Sequence, residues 1–99
     1  MIEWTEQATR QLDHVYEHIR GSNSEQVARR VITHVLNSVE RLDTFPLSGR
    51  RGRVASTREL IVSDTPFIVA YSVQRARIRI LAIYHGAQRW PEAFQDDLP

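Results

Sequence analysis

The sequence predicts an α+β fold: a two-helix antiparallel hairpin packed on one face of a mostly antiparallel four-stranded sheet, in the order β-α-α-β-β-β. Three observations predict it. The hydrophobic period changes near mid-chain, from a 3.6-residue stripe to short runs of β type. The joints between elements are only a few residues long, so consecutive helices and consecutive strands should lie antiparallel. The chain has 99 residues, enough for a single domain spanning residues 1–99 with a thin core.

Ile2–Trp4 is long enough for a short strand leading into the first helix. That helix is marked by Ala8, Leu12, Val15, Tyr16 and Ile19, which recur on one helical face. Thr5 is its expected N-cap, Glu6 suits the positive end of the helix dipole, and Gly21 reads as its stop. A second stripe follows through Val27, Ala28, Val31, Ile32, Val35, Leu36, Val39 and Leu42. Ser22-Asn23-Ser24-Glu25 has the spacing of a capping box and places the start at Ser22 or Ser24. The hairpin is too thin to fold alone, so its stripe must cover something.

The cover comes from the second half. Pro46 ends the helical region, and Ser48-Gly49-Arg50-Arg51-Gly52-Arg53 reads as a loop because of its glycines. Three β runs follow at Thr57–Val62, Phe67–Val73 and Arg77–His85. Asp64-Thr65-Pro66 and Gln74-Arg75-Ala76 are short enough to be hairpin connections. Pro46 and Pro66 fall at element edges, where a missing N–H is harmless. Strict alternation along the last run points Ile78, Ile80, Ala82 and Tyr84 at the helices. It points Arg77, Arg79, Leu81, Ile83 and His85 the other way.

Composition excludes several function classes. The chain has no cysteine, which removes disulfides, zinc-thiolate sites and thiol catalysis. Its longest apolar runs, Phe67–Tyr71 and Ile80–Tyr84, are far short of a membrane span. The start of the chain shows neither a basic region nor an apolar leader, so the expected location is the cytoplasm. No serine sits in a nucleophile-elbow pattern. His14 and His18 are spaced i, i+4, but H-E-x-x-H is absent and both lie outside the apolar stripe, so no metal or cofactor is expected.

The charge is polarised. Every basic residue is arginine, and residues 48–90 carry eight Arg against two acids, Glu59 and Asp64, while the chain as a whole is +1. Such a segment suggests an anionic partner, nucleic acid or an acidic protein segment, though a solvated basic face has the same composition. Arg50, Arg51 and Arg53 lie in the glycine loop, Arg58 opens a strand, and Arg77 and Arg79 lie on the last strand. Arginine cannot act as a base, but it clamps phosphates bidentately. His85 carries an imidazole, the side chain suited to moving a proton as a general acid or base, or it could simply end a strand. Arg58, Arg79 and His85 would therefore equip a metal-free ribonuclease. Glu59 reads as a surface or ion-paired carboxylate facing opposite to Arg58, and Trp90 as a core cap or a partner anchor.

Taken in order, these residues resemble the RelE/ParE superfamily of bacterial toxins from type II toxin–antitoxin modules. The matching stretches are Trp4 and Ala8 with the Leu12–Ile19 stripe, Phe45-Pro46 with Gly49-Arg50, and Thr57-Arg58-Glu59-Leu60. They continue through Pro66–Tyr71 and Ile78-x-Ile80-x-x-Ile83-Tyr84-His85-Gly86. The resemblance implies a growth inhibitor neutralised by a cognate antitoxin, acting as a homodimer or as part of a toxin–antitoxin hetero-oligomer. ParE-like members poison DNA gyrase. RelE-like members cut messenger RNA on the ribosome, with strand arginines matching Arg58 and Arg79 and a position that is sometimes His matching His85. Here the loop has no lysine, no tyrosine follows His85, and the ending His85-Gly86-Ala87-Gln88-Arg89 is short. These features favour the ParE-like reading, in which no residue is catalytic. RNA cleavage, and an antitoxin-binding module without toxicity, are the alternatives. Arg50, Arg51, Arg53, Arg58, Arg77, Arg79, His85 and Trp90 are the candidate target- or antitoxin-binding residues. The acids of the tail, Glu92, Asp96 and Asp97, could screen the cationic face of a neighbouring copy.

Overall fold

The computed structural model describes residues 1–86, 89–91, 93 and 94. The elements are β1 (Ile2–Trp4), α1 (Glu6–Ser22), α2 (Glu25–Glu40) with a 3₁₀ turn over Arg41–Asp43, β2 (Arg50–Arg51), β3 (Arg58–Ile61), β4 (Phe67–Gln74) and β5 (Arg77–His85). They form one mixed sheet in the order β1-β5-β4-β3-β2, with α1 and α2 packed against each other and on the sheet. The α+β architecture agrees with the sequence reading. The sheet has five strands rather than four, because Arg50 and Arg51 of the expected loop pair with Glu59 and Arg58. A two-residue strand is too short to leave a periodic signal.

Thr5 shows how the first turn is built. Its hydroxyl accepts from the Ala8 N–H at 3.2 Å and donates to the Ile80 carbonyl at 2.8 Å, so one side chain caps α1 and ties it to β5. Beyond Ile80, where β1 ends, the open edge of β5 is satisfied by α1: the Ile83 N–H donates to the Gln11 side-chain oxygen at 2.8 Å. Gly21 does not stop the helix. It has no positive φ, and α1 continues to Ser22, with the Asn23 N–H closing on the Ile19 carbonyl. Ser24 caps α2 by accepting from the Val27 N–H at 3.1 Å. Ser22 instead donates to the His18 carbonyl, so the capping-box pair is not formed.

The helix-side core gathers Ala8, Val35, Val39, Leu42, Val62, Val69, Tyr71, Ile78, Ile80 and Ile83. Leu36 departs from the predicted stripe and is exposed. On the other face of the sheet Val54, Ala70, Leu81, Ala82, Tyr84 and Phe94 form a second cluster, with Trp90 against it.

That division corrects the alternation read from sequence. The β4–β5 register shifts between Ala70 and Tyr71: Ala70 faces Ala82, but Tyr71 faces Ile80, so Leu81 is the extra residue of a bulge. Ile78 and Ile80 do face the helices. Past Leu81 the parity inverts, so Ile83 joins the helix-side core while Ala82 and Tyr84 turn to the opposite face. His85 pairs with Phe67, which packs against the helix-side core, and so it stands on the helix side of the sheet.

Candidate functional site

Each sequence-derived candidate can now be placed. Arg79 lies between Ile78 and Ile80, both in the helix-side core, and therefore projects from the opposite face; its Nε donates to Glu3 at 3.2 Å. His85 is on the helix side, its ring meeting Phe67 edge-on at 6.1 Å between centroids. Arg58 shares the helix side with its cross-strand partner Tyr71, and its guanidinium donates to the carbonyls of Leu47 and Gly49 at 3.3 and 2.8 Å. Tyr71 and Phe67 are four residues apart on β4, so Arg58 and His85 sit about 13 Å apart along the strand direction. Arg58, Arg79 and His85 are thus split between two faces and two ends of the sheet and do not converge on one phosphate.

Two of the three glycine-loop arginines, Arg50 and Arg53, are occupied elsewhere. Glu59 points to the face opposite Arg58, as neighbouring strand residues must, and its side chain is 1% exposed. Its carboxylate accepts from Arg50 Nε and Nη2 at 3.1 and 2.8 Å. It also accepts from the Arg53 backbone N–H at 2.7 Å, from Arg53 Nε at 3.0 Å and from Arg53 Nη2 at 3.2 Å. Burial alone would push the carboxyl upward. The Arg53 side-chain and backbone donors, with Arg50, outweigh it and hold Glu59 below the ordinary carboxylate value.

The ion-pair cluster continues into an aromatic stack. The Arg53 guanidinium lies 3.9 Å from the Trp90 ring centroid, Trp90 lies 4.5 Å from Tyr84, and Tyr84 lies 6.0 Å from Phe94. Trp90 therefore caps the second cluster, one of the two roles its position allowed. Phe94 is buried there too. The tail acids Glu92, Asp96 and Asp97 lie outside the described residues, as do Ala87 and Gln88.

Sequence reading overlooked Tyr71. Its buried hydroxyl accepts from the Gly49 N–H at 2.9 Å and donates to the Pro46 carbonyl at 2.9 Å, pinning the chain between α2 and β2. The available signal was Gly49: a Cβ there would lie 2.5 Å from that hydroxyl and 2.9 Å from the Glu59 carbonyl. Burial pushes the Tyr71 phenol upward, against the Gly49 N–H and the Arg58 charge. The remaining candidates, Arg51 and Arg77, are exposed. His14 and His18 are exposed on the outer side of α1. Among the described residues no helix is long and apolar enough to cross a membrane.

A family model described as the ParE toxin of the type II toxin–antitoxin system parDE matches residues 2–90. The chain belongs to this ParE toxin family. Among relatives of this ParE toxin, the Sinorhizobium fredii (strain NBRC 101917 / NGR234) protein "Putative toxin Y4kP" is 38% identical over 91 residues, covering 92% of this chain and 93% of its own. A solved structure titled "Chromosomal ParDE TA system from P. aeruginosa" matches with a TM-score of 0.78 and 26% identity, over 85% of this chain and 92% of that one. The ParE toxin fold thus agrees with the resemblance read from the sequence, while Arg50 and Arg53 of the basic segment are paired with the buried Glu59 carboxylate.

Proposed function

We propose that this ParE toxin inhibits growth by poisoning DNA gyrase in the cytoplasm, as a binding protein with no chemistry of its own. The observation that carries this reading is the dispersal of the would-be nuclease set by the Leu81 bulge, which leaves His85 and Arg79 on opposite faces of the sheet. A general acid must come within hydrogen-bond reach of the group it protonates. His85 and the strand arginines do not meet that condition around one phosphodiester.

The cognate antitoxin is the proposed partner, with an extended segment laid along the outer edge of β3. Beyond Glu59 that edge has no paired strand among the described residues. A concavity of about 360 Å³ runs beside it, bounded by Ser38, Arg41, Phe45, Leu60 and Ile61. Phe45 and Ile61 are 63% and 54% exposed. An open strand edge flanked by exposed apolar side chains suits strand addition.

The test is expression without antitoxin, followed by assays for trapped gyrase cleavage complexes and for new 5′ ends in translating message. Cleavage complexes with intact message are the expected result, and His85→Ala should remain toxic. Cut message, abolished by His85→Ala, would replace the proposal with a RelE-like endoribonuclease. Absence of any toxicity would reduce the protein to an antitoxin-binding module.

A further inference from the structure

Three arginines that Glu59 does not hold lie toward one end of the sheet: Arg75 at the hairpin tip, Arg77 on the face away from the helices, and Arg51, opposite Arg58, on the helix side. The β4–β5 hairpin closes through a two-residue loop, Arg75-Ala76, between the paired residues Gln74 and Arg77. β3 begins opposite Tyr71, so Ser72, Val73 and Gln74 extend the hairpin about 10 Å beyond it. Arg51, Arg75 and Arg77 are exposed and enter no ion pair among the described residues. Two concavities flank the end of β4. One, of about 650 Å³, is bounded by Gln74, Arg75, Ala76 and Arg77 together with Met1. The other, of about 630 Å³, is bounded on its polar side by Arg51, Gly52, Ser56 and Arg58.

Two features at this end cost stability. Arg75 has φ +58, alone in its loop in being positive, which is the type II′ pattern that favours glycine at that position. A non-glycine residue held there stores strain. Arg51 stands directly opposite Arg58 in the β2–β3 pair, and like charges opposite one another repel. A bound polyanion would use the first and relieve the second.

We propose that this end of the sheet binds the phosphate backbone of duplex DNA end-on, with Arg75 at the tip, Arg77 on one face and Arg51 on the other, each meeting a different phosphate. Guanidinium forks match phosphate oxygens bidentately. Exposed apolar side chains are present here too, Met1 in the first concavity and Leu47 in the second, so an acidic peptide is the competing ligand in the test below. The proposal rests on the gyrase reading only for its choice of DNA over RNA, and it supplies that reading with a contact to the cleaved substrate.

The experiment measures binding of the full chain to a labelled 20-base-pair duplex by fluorescence anisotropy, across about 50–200 mM salt. Arg75→Gly and Arg77→Gln should each weaken binding several-fold, equally for unrelated sequences, and each should reduce the salt slope by about one. Arg75→Gly should do so without lowering the melting temperature, because glycine adopts the positive φ freely. Arg30→Gln removes one exposed charge from α2 and should leave the slope unchanged. Equal losses for Arg30→Gln and Arg75→Gly, no loss for any variant, or tighter binding to polyglutamate or duplex RNA than to DNA would each overturn the proposal. Trapped gyrase complexes that are insensitive to Arg75→Gly and Arg77→Gln would overturn the DNA contact and leave gyrase poisoning standing. DNA binding lost in the variants, without any gyrase trapping by the wild type, would support the contact and sink the gyrase reading.

Discussion

Replacing Glu59 by glutamine tests whether the ion-pair cluster holds the loop to the sheet. One carboxylate, 1% exposed, takes five N–H donors between 2.7 and 3.2 Å. Removing one partner of a buried ion pair costs about 3–5 kcal/mol when the other charge stays buried. Here the Arg50 and Arg53 side chains are 50% and 41% exposed and can rehydrate, and glutamine keeps an oxygen for the Arg53 backbone N–H. The expected loss is therefore smaller, about 2–3 kcal/mol, or about 10–20 °C in melting temperature for a domain of this size.

The pH dependence has a definite sign. Glu59 is held below its unfolded value, so its contribution is complete above the ordinary glutamate value of about 4.3 and is lost as pH falls through the lower folded value. Urea unfolding of wild type and E59Q, at neutral pH and at steps below about pH 5, should show the gap between them narrowing with acid. A gap below about 0.5 kcal/mol at neutral pH, the usual size of a surface substitution, would refute this account of the cluster. A gap that stays constant through the acid range would refute the ionised carboxylate as its source.

Two further predictions concern glycines. Gly49→Ala places a Cβ 2.5 Å from the Tyr71 hydroxyl and 2.9 Å from the Glu59 carbonyl, and should cost about 1–3 kcal/mol in urea unfolding; an unchanged midpoint would mean that the Tyr71 pin is dispensable. Gly21→Ala meets nothing within 4 Å in a helical position, and should raise stability by about 0.5–1 kcal/mol in thermal unfolding. A loss there would mean that α1 ends before Gly21 after all.

Much of the fold was legible in the sequence because it depends on local period. The strands at Ile2–Trp4 and Arg77–His85 have the bounds expected of them. Thr5 and Ser24 cap their helices as short polar residues at those positions should. Gly21 misled because glycine permits a left-handed stop without requiring one, and Asn23 closes the helix instead. The candidate site was less legible. Alternation assumes one residue opposite one, and a single extra residue at Leu81 moved Ala82, Ile83, Tyr84 and His85 to faces opposite to those expected. Nothing in the local spacing of Ile80-Leu81-Ala82 announces that slip.

By itself the sequence determined two amphipathic helices, a run of β segments, the identity of most core residues, and a concentration of arginine after residue 47. Side-chain period and composition are properties of the chain and survive without knowing what packs where. The tertiary structure alone decided what those arginines do. Pairing in the sheet brings Arg50 beside Glu59, the loop turns Arg53 back onto the same carboxylate, and the Leu81 bulge sets His85 apart from Arg79. A charge acts on whatever lies within a few ångströms of it, and only the folded chain sets those distances.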